Sequence, residues 1–332
     1  MNRHTERPYL ERAILAVLTG TDTARAAAQL GIDAADLATA AETYRTAGRA
    51  AIASPPDSWA HVNIRPTDWH SAEATMAAHL APMLCDAEAR GTLISWWYVR
   101  KHPYWRLRLQ TACLALRTHL AQEMARLQSQ GVIASWSPGI YEPETAALGG
   151  PLGINAAHAL FHADSRALLT EHHQPETPRL GRRELSILMC SVMLRAAGQE
   201  WTEQGDVWTR VAAMRPTPAG LPESDTAGIR ALLSADTLAM AEPGQALHGE
   251  ADRIHAFARA GHELADIALR GSLTRGLRDV LAHMIAFHWN RVAIPTPHQA
   301  ILARTARDHI LGAPPYSTAS APSLSPRTTP RC

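Results

Sequence analysis

Between Gly91 and Gly150 the chain concentrates two side-chain types suited to gripping a peptide and holding a carboxylate or developing anion: large aromatic faces and guanidinium forks. Residues 96–108 read WWYVRKHPYWRLR and residues 136–150 read WSPGIYEPETAALGG. Four of the nine tryptophans (Trp96, Trp97, Trp105, Trp136) and a basic cluster (Arg100, Lys101, Arg106, Arg108) fall in this stretch. The same residues also describe a plain amphipathic hairpin, with tryptophans in the core and arginines in water, so the surrounding motifs must decide. His158 and His162 stand four apart, the spacing of two ligands on one helix face, but no glutamate lies between them and no further ligand is evident. No metal is expected. Asp164-Ser165 could orient a base, yet no nucleophile elbow supports a Ser/His/Asp triad. Gly149-Gly150 and Gly153 are too sparse for a phosphate loop. His288-Trp289-Asn290-Arg291 sets polar groups into an otherwise apolar helix, AHMIAFHWNRVAI. Such groups are costly to bury unpaired, so they form a core network or line a cavity. The ease with which histidine is tuned for proton transfer near neutral pH favours the cavity.

Positioning these groups requires a sheet. WAHVNI (59–64) reads as a strand, and Asp68 opens a helix running to about Arg90. TLISWWYVRK (92–101) and YWRLRLQ (104–110) are strands joined by a His102-Pro103 turn, CLALRTHLAQEMARLQSQ (113–130) is helical, and VIASWSPGIY (132–141) is extended. The order βαββαβ is the split ferredoxin-like arrangement, an antiparallel sheet with helices on one face. Alternation along a strand puts Trp105, Leu107 and Leu109 on one side and Arg106 and Arg108 on the other, looking out from the open face. Trp96, Tyr98 and Arg100 share a face opposite Trp97, Val99 and Lys101; which of the two joins Arg106 and Arg108 depends on register.

The rest of the chain frames this unit. Residues 8–51 read as three short helices, with Asp22 and Asp33 as N-caps and Gly31 and Gly48 as stops. Their layout resembles a helix-turn-helix module, but five acidic residues against four arginines make a poor footprint for DNA, so a docking or dimerisation cap is expected. The expected domains are a helical cap at 1–53, a linker at 54–58 (SPPDS), the main domain at 59–311, helical from Pro151 onward, and a Pro/Ser/Thr-rich disordered tail at 312–332. The fold class is therefore α+β. At 332 residues, with 46% hydrophobic and 19% charged residues and a net charge of +1, a soluble globular protein without a nucleic-acid partner is expected. The charged N-terminus is neither signal peptide nor membrane span, and four scattered cysteines without a CxxC pair fit a reduced, cytoplasmic protein.

WYVRKHPYWRLRL, PGIYEPETAALGG, AHALFHADS, GRRELSILMCSVMLRAAG and FHWNR, in this order, resemble the thiopeptide-type bacteriocin biosynthesis family, a relative of the C-terminal elimination domain of lantibiotic dehydratases. The resemblance spans roughly Trp59 to Leu311. It implies an enzyme that tailors a ribosomally made precursor peptide carrying a leader, without a cofactor. One branch eliminates glutamate from glutamylated Ser/Thr and works beside a lantibiotic dehydratase-type glutamylation protein. The other, the pyridine synthases, joins two dehydroalanines by a formal aza-cycloaddition, with loss of water and leader. Arg100, Arg106 and Arg108 match the arginines of the eliminase strand motif, while Lys101 and Trp105 depart from its Tyr and His. His288 is the counterpart of the histidine before the late Asn-Arg pair. Where an eliminase segment like YxREVERYGG carries arginines, this chain has Pro143 and Ala147. A proline can neither bind a glutamyl carboxylate nor move a proton, so the resemblance leans toward pyridine formation. A non-catalytic partner presenting the leader to a dehydratase is the third reading.

By that resemblance His288 is the acid/base, and Arg100, Arg106 and Arg108 hold backbone or charge. Trp97 and Trp105 stack on an azole-rich substrate. Tyr141, Glu142 and Glu144 sit at the mouth of the site, with Asn290 and Arg291 beside His288.

Overall fold

A computed structural model of the chain describes residues 3–53, 59–170, 180–215 and 228–312. The expected linker at 54–58 and all but Gly312 of the expected disordered tail lie outside the described residues. The N-terminal cap is three helices: α1 (Arg3–Leu18), α2 (Thr23–Leu30) and α3 (Ala34–Ala53). Asp22 accepts the Arg25 backbone N–H at 2.9 Å and Asp33 that of Ala35 at 2.7 Å, so both predicted caps form. Gly31 ends α2 in the left-handed conformation, φ 66°. Gly48 does not end α3, which runs five residues further; with no left-handed φ, a lone glycine is tolerated inside the helix. Ile14, Ala26, Ala27, Leu37 and Ala41 give the cap a small core of its own, and α3 touches the helical portion at α7.

Four strands follow: β1 (Trp59–Pro66), β2 (Ser95–Lys101), β3 (Tyr104–Gln110) and β4 (Ile133–Gly139), in the all-antiparallel spatial order β2-β3-β1-β4. The single helix expected over 68–90 is two, α4 (Ala72–His79) and α5 (Ala81–Ala89), because Pro82 lacks the N–H and crowds the preceding turn. Between β3 and β4 lies α6 (Leu114–Ser129). The C-terminal portion comprises α7 (Pro151–Thr170), α8 (Arg182–Ala196), α9 (Trp201–Ala213), two short helices that periodicity did not reveal, α10 (Ile229–Ser234) and α11 (Thr237–Met240), then α12 (Ala251–Leu269), α13 (Leu277–Arg291) and α14 (Thr296–Leu311). Among the described residues no helix is long and apolar enough to cross a membrane.

Register settles the faces that alternation left open. Trp96, Tyr98 and Arg100 pair with Leu109, Leu107 and Trp105, while Trp97 and Val99 pair with Arg108 and Arg106. Arg100 therefore lies on the opposite side of the sheet from Arg106 and Arg108. The sheet is also not covered on one face only: Trp96, Trp97, Tyr98 and Val99 are all buried, since α7 and α13 pack on β2. That edge strand has its free backbone groups occupied by side chains. Ser165 accepts the Tyr98 N–H at 3.2 Å, Arg291 donates to the Tyr98 carbonyl at 3.2 Å, and His162 Nδ1 lies 3.0 Å from the Trp96 carbonyl. Such cover protects an edge from pairing with another chain.

Candidate active site

The register lines up Ser95, Gln110 and Trp59 across β2, β3 and β1, with Trp97, Arg108 and His61 in the next row on the same face. Over these rows lie α7 and the segment from Ile140 to Gly150. Gly149 and Gly150, at φ 85° and 94°, turn that segment into α7 against Leu273, Thr274 and Val280, where a Cβ would meet side-chain atoms at 2.7–2.9 Å. These glycines are packing elements. A cavity of about 530 Å³ remains between sheet and helix. Its chief walls are Trp59, Tyr141, Pro143, Asn155, His158 and His162. Ile94, 61% exposed, extends the apolar lining to the mouth.

The cavity's chemistry centres on one contact, the Tyr141 hydroxyl 2.6 Å from His158 Nε2. Trp59 packs on both rings, at 4.9 Å from Tyr141 and 4.6 Å from His158. Burial, reinforced by the charge of Arg108, lowers the His158 pKa to about 4, so the imidazole is neutral at pH 7. Burial raises the Tyr141 pKa, so the phenol keeps its proton. Arg108, 6% exposed, stands behind Tyr141: its Cζ is 5.4 Å from that ring and 4.2 Å over Trp97. A small second cleft lined by Glu142 and Glu144 shares Tyr141 and Ile154 with the cavity, and Glu144 favours the charge on Arg108. Burial brings the Arg108 pKa down to about 10. The arginine expected on an open face is thus a buried cation under aromatic rings, because α7 and the 140–150 segment cover it. Arg106, half-buried on the same face, helps lower the His61 pKa, where burial is the larger cause.

The other expected site residues lie elsewhere. Trp97 is 2% exposed and packs against the stacked rings of Phe161 and Phe287, at 4.9 and 6.1 Å; the indole that lines the cavity is the half-buried Trp59. On the far face Trp105 stacks on Tyr98 at 4.4 Å, and Arg100 lies 4.4 Å from the Trp105 ring and 5.9 Å from that of Tyr98. Arg100 pairs there with Glu73, which Arg182 also grips, and burial followed by the Arg182 charge brings its pKa down to about 9. Behind Phe161 and Phe287 is a fully buried network. Asp164 takes His288 Nδ1 at 2.8 Å, Arg253 at 2.8 Å and Arg291 at 2.6 Å. Burial alone would push the Asp164 carboxyl up, but these three partners hold it well below its ordinary range. His288 is 1% exposed, its pKa lowered by burial against the pull of Asp164. Of the two readings of residues 288–291, the structure holds the core network. Asn290 accepts from Gln299 at 3.2 Å, apart from the cavity. Among the described residues no three His, Cys, Asp or Glu residues could hold a metal ion. His162 is occupied by the Trp96 backbone and by Glu88, 3.2 Å from Nε2.

Trp59, His61 and His158 were not singled out by sequence reasoning as site residues. The only signal for His158 was its four-residue spacing from His162, just after the Tyr141 motif.

Against known proteins, the family model for the C-terminal part of the lantibiotic biosynthesis dehydratase matches residues 59–310. No curated protein matches the chain. Among solved structures the fold is similar to the tRNA-dependent lantibiotic dehydratase MibB from Microbispora sp. 107891, with a TM-score of 0.53 at 16% identity over 76% of this chain. The match spans only 28% of that protein. It is also similar to TsrL, TM-score 0.51 at 15% identity, covering 77% of this chain and 99% of TsrL.

Proposed function

Because the chain belongs to the lantibiotic dehydratase C-terminal family, we propose that it tailors a ribosomally made, leader-bearing precursor peptide by joining two dehydroalanines into a pyridine. In this reading the sheet is the ferredoxin-like split arrangement, and the substrate enters the cavity between that sheet and α7. The amide next to one dehydroalanine moves its N–H proton to the carbonyl oxygen, giving an azadiene. Two carbon–carbon bonds to the second dehydroalanine close the six-membered ring. Loss of water, then of the leader as an amide, supplies the two remaining double bonds, so no oxidant and no cofactor is needed. The observation that carries the reading is Pro143 at the wall of an aromatic cavity. The elimination branch needs a guanidinium there to hold a glutamyl carboxylate. Trp59, Tyr141 and Ile94 instead offer the planar and apolar surfaces that a desolvated, azole-rich peptide would fill.

Glutamate elimination is the second reading. It is favoured by Arg106 and Arg108 on one face, matching the eliminase strand motif, and would make a glutamylating dehydratase the partner protein. Mass spectrometry on the purified chain with two synthetic leader peptides, one with two dehydroalanines and one with glutamylated serine, separates the readings. Ring formation with leader release supports the first, and loss of glutamate refutes it in favour of the second. Tight leader binding with no turnover of either peptide would mark the chain as a leader-presenting partner.

A further inference from the structure

We propose that Tyr141 and His158 form the proton-transfer pair of this cavity, Tyr141 meeting the substrate and His158 taking the proton behind it. The inference rests on the reading that the cavity receives the precursor peptide. The proton-transfer assignment moves from His288, buried behind Phe161 and Phe287, to a pair that lines the cavity itself.

Three observations carry the assignment. The pair is in contact at 2.6 Å, with the histidine on a rigid helix and the tyrosine on the strand-to-helix segment, both on the cavity wall. Both members are neutral, and with the imidazole proton on Nδ1 the un-ionised phenol donates to Nε2, the arrangement the relay uses. Arg108 lies over the Tyr141 ring at 5.4 Å and its charge favours the ionised phenol, so charge arriving on that oxygen meets a cation. When the substrate N–H bond breaks, its proton goes to the Tyr141 oxygen while the original phenol proton passes to His158 Nε2. The substrate is then an amidate and His158 an imidazolium. The return step runs His158 Nε2 to Tyr141 to the amidate oxygen, leaving the iminol and both side chains as they began. The same pair can protonate the ring hydroxyl that leaves as water and take the ring proton that aromatisation releases, so the cycle closes without a co-reactant.

The test uses the full-length protein and the bis-dehydroalanine and glutamylated leader peptides. Tyr141→Phe keeps the ring packed on Trp59 and removes only the hydroxyl; His158→Gln is the second variant, and circular dichroism and thermal unfolding verify folding. Both should lower kcat by about 100- to 10,000-fold on whichever peptide the wild type converts, with peptide Kd within about threefold, since the aromatic walls of the cavity remain and the loss falls on the proton relay. Added imidazole should restore part of the activity of His158→Ala and none of that of Tyr141→Phe. If the wild type works and Tyr141→Phe matches it, or if His288→Asn is crippled while both cavity variants are active, the pair is not the relay and the functional reading stands. If the wild type converts neither peptide, the functional reading fails and the relay falls with it.

Discussion

Arg108 is the cation whose removal separates structure from chemistry. It is 6% exposed, lies over Trp97 at 4.2 Å, and forms no ion pair with a carboxylate among the described residues. Keeping a guanidinium charged where burial brings its pKa from 12.5 down to about 10 costs about 3 kcal/mol, and a desolvated cation–π contact returns about 2 kcal/mol. Arg108→Met fills much of the same volume, so the variant should be no less stable than the wild type, and up to about 1 kcal/mol more stable. That corresponds to a Tm higher by roughly 2–4 °C. Activity should move the other way, because Arg108 acts through its neighbours. Its charge lowers the His158 pKa and favours negative charge on Tyr141. From the ring distances of 5.4 and 5.8 Å, the cation stands no more than about 11 Å from the imidazole. At an effective dielectric of about 20 that interaction is about 1.5 kcal/mol, on the order of one pH unit. His158 works as a base only when neutral. Loss of Arg108 raises its pKa from about 4, and the acid limb of the pH–rate profile should shift about one unit higher. At neutral pH kcat should fall on the order of 100-fold, the scale of one charge-stabilising group. Differential scanning calorimetry and kcat from pH 4 to 8 measure both. A drop of more than about 2 kcal/mol in stability, or an unmoved acid limb, would refute the reasoning.

Two further predictions concern the scaffold. Asp164→Asn strips the carboxylate shared by Arg253, Arg291 and His288 and should cost about 3–5 kcal/mol in urea unfolding; a loss under about 1 kcal/mol would mean the network contributes little. The folded pKa of Asp164 is held below its unfolded value. Its contribution is therefore complete above about pH 4 and declines as the pH falls further, and the variant should lose less stability than the wild type between pH 5 and 3. Gly153→Ala would set a Cβ 1.9 Å from the Leu148 carbonyl oxygen. It should destabilise by about 1–3 kcal/mol or more and widen the cavity mouth by displacing the 140–150 turn, with thermal unfolding and peptide Kd as the measurements.

The order of strands and helices around the hairpin was legible because each change of period carried its own stop signal, from Gly131 after α6 to the turn after Lys101. Alternation correctly set Arg106 and Arg108 apart from Trp105, Leu107 and Leu109. What alternation could not supply was partners. Glu73 reaches Arg100 from 27 residues away, Asp164 reaches His288 across 124, and Tyr141 meets His158 over 17 that include a tight double-glycine turn. A lone polar residue on an apolar helix looks the same in sequence whether a carboxylate or a cavity awaits it. At His288 a carboxylate was there.

One strand hairpin carries Arg100, Arg106 and Arg108 within nine residues, yet the pleat sends Arg100 to the face where Glu73 and Arg182 hold it and Arg108 to the face beneath Tyr141. Loss of either arginine could abolish turnover, for opposite physical reasons. Removing Arg100 leaves Glu73 with one fewer partner and opens a gap over Trp105, so inactivity there reports on folding. Removing Arg108 relieves an unpaired buried charge, so inactivity there reports on chemistry. An activity assay alone would count both as catalytic. Stability and activity measured together divide the motif, because only at Arg108 should they change in opposite directions.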